Sequence, residues 1–283
     1  MSRSALTLSP ELEPEPILPI GVSIVLYRTP VAKIEPLLQE FLQQGAARIY
    51  LIDNSPLSFD PFEGWQPHER ITTIRLGKNL GYGRANNIAI RDSILRHQYH
   101  VISNPDIRLQ SHALSNLLAL LESRPEIGLA MPQIIGPDGA RHYLCKRAPS
   151  PVDFVPQSLV PQAWRGRRRA HYEMRDCSYD DQLEVECLSG CFMFARSSVL
   201  QAIGGFDERF FMYMEDFDLS RRARRVARNL YHPNATVIHE HARGHRHSLR
   251  LLWAFGVSLV RYFSKWGWFE GRESRRGAGA KKR

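Results

Sequence analysis

GVSIVLYRTPVAKIEPLLQEFLQQGAARIYLIDNSP, residues 21–56, carries the pattern that decides the fold. Its opening residues, GVSIVLY at 21–27, form a short apolar, β-branched run after a proline-rich segment and read as a buried strand. From Val31 to Gln44 the apolar residues Val31, Ile34, Leu37, Leu38, Phe41 and Leu42 recur at helical intervals, and Gly45 supplies a stop. RIYLIDNSP at 48–56 returns to an apolar strand that runs directly into Asp53, Asn54, Ser55 and Pro56. Strand, helix and strand in that order predict a parallel βαβ unit with polar residues at the carboxyl edge of the sheet. Open α/β sheets bind their ligands at that edge.

Downstream the pattern repeats. ITTIRLGKNLGYGRANNIAIRDSIL at 71–95 adds a strand, a glycine turn and a helix. Gly81 and Gly83 would let the chain approach a ligand closely, and Asn86 and Asn87 offer hydrogen-bonding groups near the helix start. The segment is neither a GxxxxGK phosphate loop nor a GxGxxG dinucleotide turn, and a structural turn with a helix cap has an equal claim on it. YHVISNPDIRL at 99–109 is a further apolar strand, ending in Asn104, Pro105 and Asp106. A carboxylate where a strand breaks off can coordinate a hard divalent ion, although a lone NPD is more commonly a turn. Leu114 to Leu121 is helical in period, and RPEIGLAMPQIIGPDG carries a strand and a turn at Asp138 and Gly139. Residues 141–183 lose clear periodicity around the basic run RGRRR at 165–169. They read as a long, partly disordered excursion, facing either an acceptor or lipid phosphate, or carrying only solvated charge.

In the second half, VECLSGCFMF at 185–194 is strand-like, with Gly190 in its middle leaving space for a ligand. Further on, Glu215, Asp216 and Asp218 precede a run of arginines. A helix starting near Glu215 places all three acids in its first turn, where unpaired N–H groups favour negative charge. Ordinary capping accounts for that much. Apolar anchors on both sides add the prospect of a partly desolvated acid with altered basicity. ATVIHEH at 235–241 reads as a strand with His239 and His241 on one face and Glu240 opposite. Read alone, these histidines suit a surface or phosphate-binding role. Their spacing is unlike HExxH, and no cysteines accompany them for a structural zinc site.

With 283 residues, 43% of them hydrophobic, the chain can bury the core of one α/β domain with terminal additions. A formal charge of +9 implies an anionic partner, whether nucleic acid, a lipid surface or a phosphorylated substrate. A non-catalytic, basic nucleic-acid-binding protein is one reading of that charge, but no recognition helix, finger or RNA-binding motif accompanies it. Four cysteines without a CxxC pair point to free thiols in a reducing compartment. Residues 1–19 read as a flexible tail that lacks a secretory signal's order. Residues 249–283 form an amphipathic helical segment and a basic tail. There Trp253, Phe255, Tyr262, Phe263, Trp266, Trp268 and Phe269 mix with Arg250, Arg261 and Lys265. That mixture fits peripheral membrane contact, a helix packed on the catalytic domain, or a homodimer interface.

Taken as an ordered set, IVLYRTP, LIDNSP, KNLGYGRANN, ISNPDI, LSGCFMFAR, GGFDERFFMYMEDFDLSRR and VIHEHARG resemble the inverting GT-A glycosyltransferases of family 2. Within that family the chain looks like the bacterial rhamnosyltransferases that build cell-surface polysaccharide. The resemblance covers roughly residues 20–250 and implies a catalytic domain over 20–248. It also implies an α/β nucleotide-diphospho-sugar transferase fold, with a mostly parallel central sheet flanked by helices. By resemblance, Asp53 contacts the nucleotide base. Asn104 and Asp106 match the metal motif, with Asp106 the direct ligand to Mg²⁺ or Mn²⁺ and His239 completing the site. Glu215 and Asp216 match the acidic pair near the acceptor, and Asp216 is the general base. Asn54, Gly81, Gly83, Arg84 and Asn87 are candidates on the donor side, Arg84 for the diphosphate. The implied reaction is inverting transfer of L-rhamnose from dTDP-rhamnose to a saccharide or lipid-linked saccharide, with a UDP-hexose as the alternative donor. The implied setting is the cytoplasm, including the inner face of the membrane.

Overall fold

The computed structural model describes residues 16–155, 162–240 and 249–268. The tail proposed at the N-terminus lies largely, and His241, His245, His247 and the basic C-terminal tail lie wholly, outside the described residues. The chain opens with strand β1 (Leu18–Leu26), helix α1 (Glu35–Gln43) and strand β2 (Ala46–Asp53), the βαβ unit that the apolar pattern predicts. Strand β3 (Ile71–Arg75), helix α2 (Tyr82–Arg96), strands β4 (Tyr99–Ser103) and β5 (Ile107–Leu109), helix α3 (Ala113–Ser123) and strand β6 (Ile127–Ile135) complete the first half. The second half holds α4 (Gln162–Tyr172), β7 (Leu183–Glu184), β8 (Phe192–Arg196), α5 (Ser197–Ile203), α6 (Glu215–Ala223), β9 (Arg228–His239) and α7 (Leu249–Trp266).

Among the described residues the strands form one sheet in the order β3-β2-β1-β4-β8-β6-β9-β5, with β7 paired to β9. Pairing is parallel from β3 through β4 and between β6 and β9, and antiparallel where β8 is inserted and where β5 and β7 meet β9. Parallel strands are covered on both faces, which is why β1 is buried continuously from Ile20 to Leu26. Val22, Ile24 and Leu26 belong to the main core with Leu37, Leu38, Phe41 and Leu42 of α1. On the opposite face Val25, Tyr50 and Ile52 pack against Ala85 and Ala89 of α2.

Two segments differ from their reading in the sequence. In 185–194 the sheet pairing starts only at Phe192, and the residues before it form a loop pinned by Val185 N–H to Asn229 O and by the Lys146 and Cys187 peptides. Gly190 lies in that loop. Within the stretch read as irregular, residues 162–172 form α4, because its arginines and alanine favour helix and Arg169 reaches Glu173 one turn on. Helix α7 buries Tyr262, Phe263 and Trp266 against Phe210 and Met214, and leaves Leu252, Trp253 and Val260 exposed. No helix among the described residues is long and apolar enough to cross a membrane. Cys145, Cys177, Cys187 and Cys191 are free thiols.

Candidate active site

The carboxyl ends of β2 and β4 flank that of β1, so Asp53 and Asn104 sit on the same edge two strands apart. Asp53 is 1% exposed. One of its oxygens accepts from Ser55 N–H at 2.9 Å, and the other lies 3.5 Å from Arg75 Nε. Asn54 stitches the end of β2 to the glycine turn. Its Oδ1 accepts from Leu80 N–H at 2.7 Å, and its Nδ2 donates to Asn79 Oδ1 at 3.0 Å and to Gly81 O at 3.3 Å.

The two glycines make room for another part of the chain. At Gly81, where φ is +86°, a β-carbon would come within 2.1 Å of Phe211 O, and Tyr82 N–H donates to that same carbonyl at 3.0 Å. At Gly83 a β-carbon would meet the Phe206 side chain at 2.9 Å. Arg84 and Asn87 face the same 206–208 stretch. Arg84 Nε donates to Glu208 at 3.0 Å. Buried Asn87 accepts from Phe206 N–H at 2.8 Å and donates to Phe206 O at 2.9 Å and Glu208 at 3.1 Å. These bonds clamp two parts of the chain together, and neither residue lines the cavity described next.

A cavity of about 670 Å³ opens beside the edge, within the size range of small-molecule sites. Asn104, Gly190, Glu215, Asp216 and His239 all line it, so four candidates drawn from separate strands and a helix, together with Gly190, meet in one space. Asp53 and Asn54 lie outside its lining. Asp106 adjoins it through His239, whose Nε2 is 3.2 Å from Asp106 Oδ1. Antiparallel pairing of Ile107 with His239 and the Glu240 N–H to Asp106 O bond at 2.8 Å bring the two together.

The acidic pair is positioned by strained backbone. Tyr213 and Met214 both have left-handed φ, +67° and +64°, immediately before α6 starts at Glu215. That turn sends Asp216 toward Gly190. Asp216 Oδ2 accepts from Gly190 N–H at 3.0 Å and Oδ1 from Phe217 N–H at 2.9 Å, while Tyr82 OH donates to Gly190 O at 2.7 Å. A β-carbon at residue 190 would lie 3.3 Å from Asp216 Cβ, so the glycine permits this close seat. Burial raises the Asp216 carboxyl above its ordinary range, against the pull of those peptide hydrogen bonds. Glu215 is 7% exposed and its Oε2 has no hydrogen-bond partner among the described residues. Burial first, and the neighbouring Asp216 charge second, push its carboxyl up to about 8. The third acid, Asp218, is fully buried and anchors the back of the helix, bound by Arg222 at 2.7 Å, Lys265 at 2.6 Å and Trp266 Nε1 at 2.9 Å.

Asp106 and His239 supply one oxygen and one nitrogen donor. Among the described residues no group of three or more His, Cys, Asp or Glu could hold a metal. A divalent ion of the Mn²⁺ type accepts such a mixed pair, and it fits here only if phosphate oxygens or water fill its remaining positions. A second wall of the cavity, with Arg141, His142, Lys146, Arg169, Glu173 and Arg175, carried almost no signal in the sequence. Only the 165–169 run pointed to it.

The sequence profile described as glycosyltransferase like family 2 matches residues 60–254. The N-acetylglucosaminyl-diphospho-decaprenol L-rhamnosyltransferase of Mycobacterium tuberculosis is 28% identical over 204 residues, covering 69% of this chain and 66% of that protein. The low-salt glycan biosynthesis hexosyltransferase of Haloferax volcanii is 28% identical over 190 residues, covering 66% and 56%. The chain thus matches between about half and two thirds of the length of these relatives. Among solved structures, a mannosyltransferase from Pyrobaculum calidifontis in complex with GDP-Man and Mn²⁺ superposes with a TM-score of 0.59 at 16% identity, covering 90% of this chain and 66% of that one. That likeness shows the fold to be the α/β GT-A type.

Proposed function

Because the chain belongs to glycosyltransferase like family 2, we propose that it transfers a sugar from a nucleotide-diphosphate donor to a saccharide or lipid-linked saccharide, inverting the anomeric centre. The observation that carries this reading is Asp216, presented to a cavity by two peptide N–H groups and a strained turn. A base must hold one geometry while the acceptor hydroxyl attacks, and the bonds from Gly190 and Phe217 fix the carboxylate to that end. Asp216 takes the hydroxyl proton. Burial and the adjacent Asp216 charge raise the Glu215 carboxyl, which disfavours a second negative charge beside the base. No enzymic nucleophile is required, since one displacement inverts the centre.

Asp106 and His239 would hold a Mg²⁺ or Mn²⁺ ion, which when bound neutralises charge on the departing diphosphate. The Mn²⁺ in the mannosyltransferase structure supports this assignment. Asn104 lies beside them on the cavity wall. Asp53, buried against Ser55 and Arg75, is assigned to the nucleotide end of the same edge as a positioning residue, with Asn54 holding the adjoining turn. L-rhamnose from dTDP-rhamnose is the proposed donor, supported by the mycobacterial relative's name. UDP-hexoses are the second reading, the hexose being supported by the haloarchaeal hexosyltransferase's name. Exposed Leu252, Trp253 and Val260 on α7 support peripheral contact with the inner face of the cytoplasmic membrane.

The test is a panel of dTDP-rhamnose and UDP-sugars assayed with Mg²⁺ and Mn²⁺, following donor hydrolysis and transfer. Asp216→Asn is expected to bind donor as wild type does and to lose at least about a hundredfold in turnover, the usual worth of a positioned base. Equal turnover by the two proteins contradicts the assignment of the base.

A further inference from the structure

Two separate segments meet where Gly190 N–H donates to Asp216 Oδ2, and both are tied to one residue that the transfer chemistry leaves unused. Tyr82 is the first residue of α2 and lines the cavity. Its main-chain N–H donates to Phe211 O at 3.0 Å, which fastens the loop leading through Tyr213 and Met214 into α6. Its phenol OH donates to Gly190 O at 2.7 Å, in the loop whose Gly190 N–H lies 3.0 Å from Asp216. That loop is also held one residue on, where Asn104 N–H donates to Cys191 O at 2.8 Å. The Tyr82 ring packs edge-on against Phe206 at 6.0 Å between centroids, so its hydroxyl is aimed by packing.

Glycine at 190 lets Asp216 approach closely, since a β-carbon there would stand 3.3 Å from Asp216 Cβ and 3.5 Å from Tyr82 Cε1. Glycine is also the residue with the widest choice of backbone torsions, and on its own the 190 N–H could turn away from the carboxylate. A hydrogen bond on the carbonyl of the same residue removes that choice. Resting on the assignment of Asp216 as the base, we propose that Tyr82 is a positioning residue for transfer: its hydroxyl locks the Gly190 backbone so that the 190 N–H stays on Asp216 Oδ2. The bond from Gly190 lowers the Asp216 carboxyl against the effect of burial, so the lock also extends the ionised base to lower pH. Around Asp216, burial pushes up the phenols of Tyr82 and Tyr172 and the thiols of Cys187 and Cys191, which stay neutral near pH 7, whereas Glu215 titrates together with it. Lys146, Arg169, Glu173 and Arg175 of the second wall, with Arg141, His142 and His239, share the cavity and keep their identity when residue 82 is changed.

The test compares the full chain as wild type, Tyr82→Phe and Asp216→Asn, using whichever sugar nucleotide of the donor panel wild type turns over. Tyr82→Phe keeps the ring against Phe206 and the main-chain bond to Phe211 and removes only the hydroxyl. It is expected to lower kcat about tenfold, the worth of one hydrogen bond, with donor KM changed less than about twofold. The acid limb of its kcat profile should move to higher pH, because the base loses a bond that favours its charged form. Exchange of the Gly190 amide, read by NMR without any substrate, should quicken at least about tenfold. Placing 4-aminophenylalanine at position 82 returns an N–H donor on the same ring and should restore all three readouts. Wild-type turnover in Tyr82→Phe, a fall equal at every pH with the limb unmoved, unchanged exchange at Gly190, or no rescue by the amine overturns the proposal. A slow Asp216→Asn beside a normal Tyr82→Phe removes the positioning role alone. An Asp216→Asn as fast as wild type removes the base, and the role of Tyr82 with it.

Discussion

Glu215 shows how a single side chain can trade stability for chemistry. Its carboxyl is buried beside another carboxylate, so the folded protein keeps a proton that the unfolded chain releases above about 4.5. Stability from this group is therefore complete below that value and is lost as pH rises through about 8. Glu215→Gln retains the shape and cannot ionise. Its melting temperature should exceed that of wild type by a margin that widens between about pH 5 and pH 8.5, read by thermal unfolding across that range. A margin that stays flat would mean Glu215 is not held protonated. Which of the two acids reaches Gly190 was not legible from the sequence. Both fall in the first turn of α6, and the choice depends on the left-handed backbone of Tyr213 and Met214, which has no local sequence pattern.

At the scale of elements, α6 is held from behind by α7. Trp266 Nε1 and Lys265 Nζ both meet Asp218, and the Arg221 guanidinium lies 4.2 Å from the Trp266 ring centre. Trp266→Phe leaves Asp218 one donor short in a fully buried setting and should cost about 1–3 kcal/mol. Urea unfolding measures the loss, and hydrogen exchange should show α6 and α7 opening more readily. Unchanged protection of α6 would show that α7 does not brace it. The elements themselves were readable where their signal is local. The helical period of Val31 to Leu42 and the apolar runs ending in Asp53 and Asp106 placed α1, β2 and β4, and put Asp53, Asn54, Asn104 and Asp106 at or just beyond strand ends. Lys146, Glu173 and Arg175 lie in segments without a period and meet only through tertiary folding, so of the basic wall only the 165–169 run was visible in the sequence. The contacts of Gly81 and Gly83 were hidden for a related reason, since the partners that require them, Phe211 and Phe206, are distant in the chain.

Across the whole molecule, the layer between β1, β4 and α2 contains a polar thread. Buried His100 meets Ser93 Oγ at 2.7 Å and Ser23 Oγ at 3.0 Å, and Ser23 donates to Asn86 at 2.7 Å. Burial first and His97 second pull the His100 imidazole down to about 3 from its ordinary 6.5. The folded protein keeps this ring neutral, so the stability it contributes is present above 6.5 and drains away as pH falls toward about 3. Wild type should lose unfolding free energy across that window, and His100→Gln should show a shallower slope there, by up to about one proton. Identical slopes would place the titrating group elsewhere. The peptide link from Tyr82 N–H to Phe211 O has a broader consequence. It joins the turn after β3 to the loop before α6, so the walls of the cleft are set in register as the chain folds. A wall fastened at that point gives less on binding, so under the proposed reading a sugar entering the cleft would have chiefly its own freedom left to lose.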